Sequence, residues 1–305
     1  MSKHEVIIIG GGPGGLTAGL YTSRAGLKSL LIERGIFGGQ IVNASQIDNY
    51  PGFPEGISGF DMASLMNEQA TKYGLETMTA EVTDIRHGHA YNIISPEGNF
   101  EAESVIIAAG SEYRKLGVMG EEKLLGRGVS YCATCDGFLF KDMDVAVVGG
   151  GDTAITDALE LGQHAGKVYI IHRRDQLRAG HVLQQRALEH PKLKPIWDTV
   201  VDEVTGDNKV SGLKLRNVKT GETSNLKVAG VFVAIGIIPN SKYFADIVEL
   251  DETGHIKTNE LMETSAPGIF AVGDIRKNSP RQVASAVGDG ATAALSAFKY
   301  LRERS

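Results

Sequence analysis

The chain contains two cysteines, Cys132 and Cys135, in the segment Tyr131-Cys-Ala-Thr-Cys-Asp136. A C-x-x-C pair can act as a dithiol/disulfide couple, or it can supply half of a metal site. A bridge across so short a loop removes little entropy from the unfolded chain, so it is a poor way to stabilise a fold. Redox chemistry is therefore the favoured interpretation, and two small buried residues are the alternative.

A zinc site would need two ligands in addition to the cysteines. The chain contains 8 histidines, and the one close pair among them, His87 and His89, is only a loose match to the spacing of zinc ligands. The sequence therefore predicts no bound metal.

A glycine-rich turn follows the first apolar segment of the chain. Gly10, Gly12 and Gly15 fit the pattern G-x-G-x-x-G. Such glycines let the backbone approach a pyrophosphate, which the free N–H groups of a helix N-terminus can bind. Glu33 ends the next strand, where its carboxylate can accept hydrogen bonds from ribose hydroxyls. The predicted elements around this turn are a buried strand at 5–10, a helix at 16–25 and a strand at 28–33.

The same pattern returns in the middle of the chain, where Gly149 and Gly151 form a second glycine-rich turn. A repeated strand, turn, helix and strand indicates two dinucleotide-binding units in one chain. The predicted elements around the second turn are a strand at 144–149, a helix at 154–163 and a strand at 167–172.

The charged residues after the second strand differ between the two turns. The second turn has His172-Arg-Arg-Asp175 at this position, and Arg178 follows. Guanidinium groups suit a ribose 2′-phosphate, whereas Glu33 would repel one. We therefore expect NADP(H) at the second turn and FAD at the first. The alternative is that the arginines only form a solvated face.

Each unit ends in a further short apolar strand, predicted at 105–110 and at 231–236. Another apolar strand, at 268–274, ends in Asp274 and precedes an alanine-rich helix at about 284–301. A carboxylate that faces a helix N-terminus can bind a polyol such as the flavin ribityl chain. The segment that contains this strand and this helix is therefore expected to complete the first domain. This predicts an α/β fold of two Rossmann-like domains, the first split around the second.

Composition excludes several other classes of protein. The net charge of -6 over 305 residues argues against a general nucleic-acid or anionic-membrane surface. The longest apolar stretches, such as 231–238, are much shorter than the roughly 20 residues of a membrane span. The first residues lack the pattern of an export signal. We expect a cytoplasmic protein without a membrane span.

Three motifs together resemble the low-molecular-weight thioredoxin reductases, a class of pyridine nucleotide-disulfide oxidoreductases. They are Cys132-Ala-Thr-Cys-Asp136, His172-Arg-Arg-Asp-x-x-Arg178, and Gly273-Asp274 with Arg281-Gln282. The resemblance spans essentially the whole chain. It implies an FAD-binding domain of residues 1–114 and 243–305, an NADPH-binding domain of residues 115–242 that carries the cysteines, and a homodimer.

The resemblance also implies an activity, in which electrons pass from NADPH to FAD, to the Cys132–Cys135 disulfide and then to the disulfide of thioredoxin. Cys135 would face the flavin and Cys132 would attack the partner disulfide. Asp136 would exchange the proton, and a plain helix N-cap is its alternative role. A rotation of the domains about the two crossings would let the pair reach both flavin and partner.

The residues that contact each cofactor are likewise implied by the resemblance. For FAD they are Gly10, Gly12, Pro13, Gly15, Glu33, Gly39, Gln40, Asn49, Val82, Ala109, Gly110, Gly273, Asp274, Arg281, Gln282 and Val283. For NADPH they are Gly149, Gly151, Asp152, Thr153, Arg173, Arg174, Arg178, Ile235 and Gly236.

Three other functions fit parts of the pattern. The reductase could act on another redoxin or on a small-molecule disulfide. The same scaffold could be a ferredoxin-type or quinone flavoreductase, although the position of C-x-x-C-D argues against this. A non-enzymatic redox sensor or zinc-binding protein is the third alternative.

Overall fold

The computed structural model describes residues 2–44 and 46–304 and divides the chain into two compact units. Unit 1 comprises Met1–Glu112 and Ile238–Ser305, and unit 2 comprises Tyr113–Ile237. Each unit contains a β-sheet with several parallel strands, together with helices, so the expected α/β class is confirmed. In the part of the chain that is described, none of the helices has the length and apolar character of a membrane span.

The first segment of unit 1 has six strands and two helices, and a 3₁₀ turn at Gly39–Asn43 separates the second strand from the second helix. The first crossing strand then leads to unit 2. The elements are β1 (Ser2–Ile9), α1 (Pro13–Arg24), β2 (Ser29–Glu33), α2 (Gly59–Thr71), β3 (Glu76–Thr79), β4 (Asp84–His87), β5 (Tyr91–Ser95), β6 (Gly98–Ile107) and the crossing strand β7 (Ser111–Tyr113).

Unit 2 has eight strands and three helices, and a 3₁₀ turn at Gly137–Phe140 follows its first helix directly. The elements are β8 (Val129–Ser130), α3 (Ala133–Asp136), β9 (Val145–Val148), α4 (Asp152–His164), β10 (Val168–Ile171), α5 (His181–Glu189), β11 (Leu193–Ile196), β12 (Thr199–Thr205), β13 (Gly212–Asn217), β14 (Thr223–Leu226) and β15 (Gly230–Val233). The crossing strand β16 (Ile237–Pro239) then returns the chain to unit 1. The last segment of unit 1 contains a 3₁₀ turn at Lys242–Phe244, β17 (Ile269–Ala271), a second 3₁₀ turn at Gly273–Ile275 and α6 (Val283–Arg302).

The sheet of unit 1 has the order β3-β2-β1-β6-β5-β4, and β17 also pairs with β6. Strand β6 is long enough to pair antiparallel with β5 near its start and parallel with β17 near its end. Along β1, Ile7 and Ile9 enter one apolar core while Val6 and Ile8 enter the core on the other face. Burial of both faces explains why the strand is a continuous apolar run rather than an alternating one.

The sheet of unit 2 has the order β11-β10-β9-β15-β8, and the neighbouring strands are parallel. Val145 and Val147 of β9 face one core, and Ala146 and Val148 face the other. The second core also contains apolar side chains of β12 and β13, which pair antiparallel in a separate three-stranded sheet. This small sheet therefore covers one face of the parallel sheet.

The two glycine-rich turns join equivalent elements, β1 to α1 and β9 to α4. Both helices begin before the positions that the sequence predicts, at Pro13 rather than 16 and at Asp152 rather than 154. Proline is favoured in the first helical turn, where its missing N–H would have no helical partner. An apolar periodicity detects the helix only after this first polar or glycine-rich turn.

The crossings between the units lie after Glu112 and after Ile237. The sequence predicts them after residues 114 and 242. The two crossing segments pair with each other as the two-stranded sheet of β7 and β16, so the boundaries fall inside strands. A search for polar linkers finds the residues that follow such strands rather than the strands themselves.

Helices α1 and α6 approach closely because glycines lie between them. A Cβ atom at Gly290 would lie 2.2 Å from the carbonyl oxygen of Gly14, and a Cβ atom at Gly14 would lie 3.1 Å from the carbonyl oxygen of Ala286. Real Cβ atoms do not approach backbone oxygen to 2.2 Å. The packing of the C-terminal helix on the first dinucleotide turn therefore depends on Gly290.

We expect Gly290→Ala to lower the free energy of unfolding by about 1–3 kcal/mol, because the new methyl group overpacks the contact between α1 and α6. Gly288→Ala is the matched control, since a Cβ atom at Gly288 meets nothing within 4 Å. It should be neutral or should stabilise the helix by up to about 1 kcal/mol. Urea denaturation followed by circular dichroism measures both. Equal stabilities for the two variants would contradict the packing argument.

Candidate active site

Cys132 and Cys135 form a disulfide bond, with their Cα atoms 5.3 Å apart. Cys132 caps the N-terminus of α3, and its Sγ accepts a hydrogen bond from the backbone N–H of Cys135 at 3.2 Å. The preceding strand, β8, ends at Ser130, at the carboxyl edge of the parallel sheet. The predicted disulfide couple is confirmed, and it lies where α/β proteins place functional loops.

Asp136 is the last residue of α3 and carries a largely buried carboxyl group. Burial raises its pKa, and a hydrogen bond of 2.5 Å from the Ser130 hydroxyl opposes this effect. The net shift is upward, so the carboxylic acid form persists to higher pH than in a free aspartate. The helix-cap alternative is wrong, because Cys132 caps α3 and the Asp136 side chain does not cap the 3₁₀ turn that follows.

A buried glutamate lies next to the redox loop, the segment 131–136 that carries the two cysteines. No sequence motif identifies this glutamate. Glu121 is 1% exposed and accepts hydrogen bonds of 2.8 Å from the N–H groups of Leu116 and Gly117 and from the hydroxyl of Tyr131. The Tyr131 ring stacks on Tyr113 with a centroid distance of 5.0 Å. Burial and the Glu121 carboxylate raise the pKa of Tyr131. The residue before Cys132 is therefore fixed to the first segment of unit 2.

The first glycine-rich turn has the geometry of a phosphate-binding cradle. Gly10 has a φ of +105°, and a Cβ atom there would lie 2.4 Å from the carbonyl oxygen of Ala108. A Cβ atom at Gly15 would lie 1.9 Å from the carbonyl oxygen of Gly10. Gly12 caps α1 and has open space where a Cβ atom would be. Two of the glycines thus allow close packing, and the third leaves room at the helix N-terminus for a pyrophosphate.

Glu33 lies beside this turn at the end of β2. Its Oε2 accepts a hydrogen bond from the N–H of Gly11 at 2.6 Å, and its Oε1 accepts one from the N–H of Gly35 at 2.8 Å. Each carboxylate oxygen has a further lone pair. The side chain is therefore held in place and can still accept hydrogen bonds from ribose hydroxyls.

Residues from distant parts of unit 1 also lie close together. The Asn49 amide donates to Gln282 Oε1 at 3.0 Å, and Gln282 is the N-cap of α6. Asp274 is partly buried, which raises its pKa, and it accepts a hydrogen bond from Ser279 at 3.1 Å. Arg281 has a φ of +58°, and its Nε is buried without a hydrogen-bond partner. An oxygen of a bound flavin nucleotide would supply the missing acceptor, so these residues fit FAD.

The remaining residues predicted to contact FAD differ in their surroundings. The Asn240 amide and backbone N–H donate to the carbonyl groups of Ala109 and Gly110 at 2.8 and 3.0 Å, and the Gln40 amide donates to the carbonyl of Ser111. Val82 is part of the apolar core. Pro13 and Val283 are the first residues of α1 and α6, Gly39 begins a 3₁₀ turn, and Gly273 begins another.

A buried ion pair positions the Gly273-Asp274 turn. Asp289 accepts hydrogen bonds from the N–H of Gly273 at 3.0 Å and from the Arg276 guanidinium at 2.6 and 2.8 Å. No motif in the sequence indicates this role, because Asp289 is an isolated acid within an alanine-rich helix. It fixes the backbone that carries Asp274.

The second glycine-rich turn repeats the geometry of the first. Gly149 has a φ of +152°, and a Cβ atom there would lie 2.4 Å from the carbonyl oxygen of Ala234. Gly151 caps α4 and has open space at the Cβ position. Asp152 accepts a hydrogen bond from the N–H of Gly180 at 2.7 Å. Thr153 is exposed in the first turn of α4, while Ile235 and Gly236 follow β15.

A cluster of arginines lies next to this second turn. The backbone N–H of Arg178 donates to the carbonyl of Gly150 at 2.6 Å, and the side chains of Arg173, Arg174 and Arg178 are exposed. Burial and these three positive charges lower the pKa of His172, whose Nε2 is buried without a partner. The exposed arginine side chains therefore offer positive charge to a phosphate group. His172 belongs to the sequence motif, but it was not among the predicted site residues.

A family model described as pyridine nucleotide-disulphide oxidoreductase matches residues 4–290. The chain belongs to this family. It is 47% identical over 302 residues to the thioredoxin reductase of Bacillus subtilis (strain 168), covering 98% of this chain and 95% of that protein. The thioredoxin reductase structure from Streptococcus pyogenes MGAS5005 has a TM-score of 0.95 at 45% identity and covers 99% of both chains. The structure from Giardia duodenalis has a TM-score of 0.94 at 33% identity, with coverage of 99% and 100%.

The family membership confirms the two cofactor predictions, because reductases of this kind in the family use FAD and NADPH. Each glycine-rich turn has an open helix N-terminus that suits a pyrophosphate, and the adjacent side chains differ in charge. Glu33 accompanies the first turn and the arginine cluster accompanies the second.

We expect the double substitution of Arg173 and Arg174 by Ala to raise the KM for NADPH by at least about tenfold, because each charge-assisted contact to the 2′-phosphate contributes roughly 1.5–3 kcal/mol. The KM for NADH, which has no 2′-phosphate, should change little. Arg186→Ala removes an exposed arginine of α5 and is the matched control. Steady-state kinetics with both nucleotides gives the ratio. An unchanged preference for NADPH over NADH would refute the assignment.

Proposed function

We propose that this protein reduces the disulfide of thioredoxin with electrons from NADPH. The observation that carries the proposal is the Cys132–Cys135 disulfide, which adjoins a partly buried acid, Asp136, in a chain with two dinucleotide-binding turns. Identity of 47% to a thioredoxin reductase over nearly the whole chain supports it. We assign FAD to unit 1 and NADPH to unit 2.

FAD, when bound, supplies a ring system that accepts a hydride from NADPH and passes two electrons to the disulfide. The chain orients both nucleotides. The first glycine-rich turn and Glu33 would hold the pyrophosphate and a ribose of FAD, and Asp274 would bind its ribityl hydroxyls. The arginine cluster would bind the 2′-phosphate of NADPH.

The reduced cysteines then exchange with the partner. The Cys132 thiolate attacks one sulfur of the thioredoxin disulfide, so that a Cys132–partner bond forms, the partner disulfide breaks, and its second sulfur leaves as a thiolate. The N–H of Cys135, which donates to Cys132 Sγ, stabilises negative charge on the attacking sulfur. The Cys135 thiolate then attacks Cys132 Sγ, which re-forms the internal disulfide and releases the reduced partner.

Asp136 supplies the proton that the leaving thiolate requires. Its raised pKa keeps part of the carboxyl group protonated at a pH where an exposed aspartate would be fully ionised. After donation, the carboxylate can take a proton from the next thiol. The group thus serves as acid and then as base.

We also propose that the protein is a homodimer, as the resemblance implies, and that it acts in the cytoplasm. Exposed apolar side chains of unit 1 support an association surface, among them Phe60 at 63% and Leu65 at 52% exposure on α2. Light scattering of the purified protein would give its mass in solution. A single-chain mass would contradict the dimer.

We expect anaerobic titration of the FAD-loaded protein with NADPH to consume about two equivalents per flavin, because flavin and disulfide each accept two electrons. Cys135→Ser should consume about one equivalent, keep flavin reduction by NADPH, and lose thioredoxin reduction. The flavin absorption band and the rate of NADPH oxidation measure these outcomes. Thioredoxin turnover by Cys135→Ser would refute the proposed function, as would a wild-type uptake of one equivalent.

We expect Asp136→Asn to slow thioredoxin reduction by the reduced enzyme about 10²-fold, with little effect on flavin reduction by NADPH. The wild-type rate should lose its Asp136 contribution as the pH rises through the raised pKa of this group, and the variant should lack that step. Glu160→Gln is the control, since Glu160 of α4 accepts a hydrogen bond from Thr134, which lies on α3 with Asp136. Stopped-flow measurement of each half-reaction separates the effects, and equal slowing of both would indicate a structural role.

A further inference from the structure

Ser130 forms hydrogen bonds with residues at both ends of the redox loop. Its side chain is buried, with 5% of the residue exposed, and its Oγ accepts a hydrogen bond from the N–H of Cys132 at 3.1 Å. The same Oγ lies 2.5 Å from Asp136 Oδ2. The N–H of Asp136 in turn donates to the carbonyl of Cys132 at 3.2 Å. The hydroxyl therefore touches the start of the cysteine motif and the acid that follows it.

The Ser130 hydroxyl has one proton and two acceptors within reach. These are Asp136 Oδ2 at 2.5 Å and the carbonyl oxygen of Cys132 at 3.3 Å. An ionised carboxylate is the stronger acceptor, because charge-assisted hydrogen bonds are shorter and stronger than neutral ones. The Cys132 carbonyl already accepts from the N–H of Asp136. The hydroxyl thus points to the carboxylate whenever Asp136 is charged.

We propose that Ser130 is a positioning residue that allows Asp136 to gain and lose a proton without leaving a buried polar group unpaired. With Asp136 ionised, the serine hydroxyl donates to Oδ2. With Asp136 protonated, the carboxylic O–H donates to Ser130 Oγ, and the serine proton turns to the Cys132 carbonyl. Ser130 keeps its own proton in both states, and the proton that moves passes between Asp136 and a sulfur atom. The proposal rests on the proposed proton transfer by Asp136.

The groups around Asp136 allow the effect of Ser130 on its pKa to be separated from the effects of other neighbours. Helix α4 packs on α3 and brings Glu160, which binds the Thr134 hydroxyl, and His164, which lines the adjacent cleft. On the other side, the Tyr131 phenol binds Glu121. Burial raises the Asp136 pKa and the Ser130 bond lowers it, and no charged neighbour is a further cause. Removing the serine hydroxyl therefore disfavours the ionised form and raises this pKa.

Infrared difference spectroscopy of the reduced, FAD-loaded enzyme over a pH series tests the proposal without a turnover assay. The carboxylic C=O band that Asp136→Asn abolishes belongs to Asp136. In Ser130→Ala this band should persist to higher pH than in the wild type. Ser130→Thr keeps the hydroxyl and should restore the wild-type titration. A band that titrates identically in wild type and Ser130→Ala would overturn the proposal, and so would a shifted band in Ser130→Thr.

A double-mutant cycle gives a second readout. The rate at which the reduced enzyme reduces a small aromatic disulfide should change by about threefold or more on Ser130→Ala when Asp136 is present. In the Asp136→Asn background the same substitution should change the rate by less than about 1.5-fold. Equal effects in the two backgrounds would show that Ser130 only supports the loop. If Ser130→Ala does not fold, a shifted band in Ser130→Thr would still overturn the proposal.

The outcomes for the function and for this inference are distinguishable. A wild-type enzyme that fails to reduce thioredoxin would refute the proposed function. The infrared titration and the small-disulfide cycle would still report whether Ser130 acts through Asp136.

Discussion

The structure depends on one close approach of backbone to backbone, which occurs once in each unit. Gly10 lies against the carbonyl of Ala108, and Gly149 lies against the carbonyl of Ala234, at distances that admit no side chain. Because the chain turns so tightly there, the helix that follows begins at the edge of the sheet, with its first N–H groups directed outward. The two nucleotide sites follow from this packing of strand, turn and helix.

Much of the fold was predictable because its signals are local. Buried parallel strands appear as continuous apolar runs, and the spacing of Gly10, Gly12 and Gly15 reflects a steric requirement that short-range sequence retains. The cysteine pair and the arginine cluster are likewise contained in short motifs. The family resemblance added the distant residues, such as Asn49 and Gln282, which contact each other across most of the chain.

The remaining features depend on tertiary contacts between polar residues, which leave no periodic pattern. Glu121 binds Tyr131, Asp289 binds Arg276, and each acid is buried only because the fold supplies donors for it. The surroundings of Asp136 show the same limit, since a sequence cannot reveal whether an aspartate after a cysteine caps a helix or lies buried against a serine. The partner that decides this, Ser130, is an ordinary strand residue in the sequence.

The route of the chain has a consequence for how the protein forms during synthesis. The sheet of unit 1 takes its strand β17 from the last part of the chain, whereas unit 2 is one continuous segment. On a ribosome, unit 2 can fold as soon as residue 237 has emerged, while the second half of the long strand β6 is paired with β1 on one edge and still lacks β17 on the other. That exposed strand edge is then the position at which a nascent chain most needs protection from aggregation.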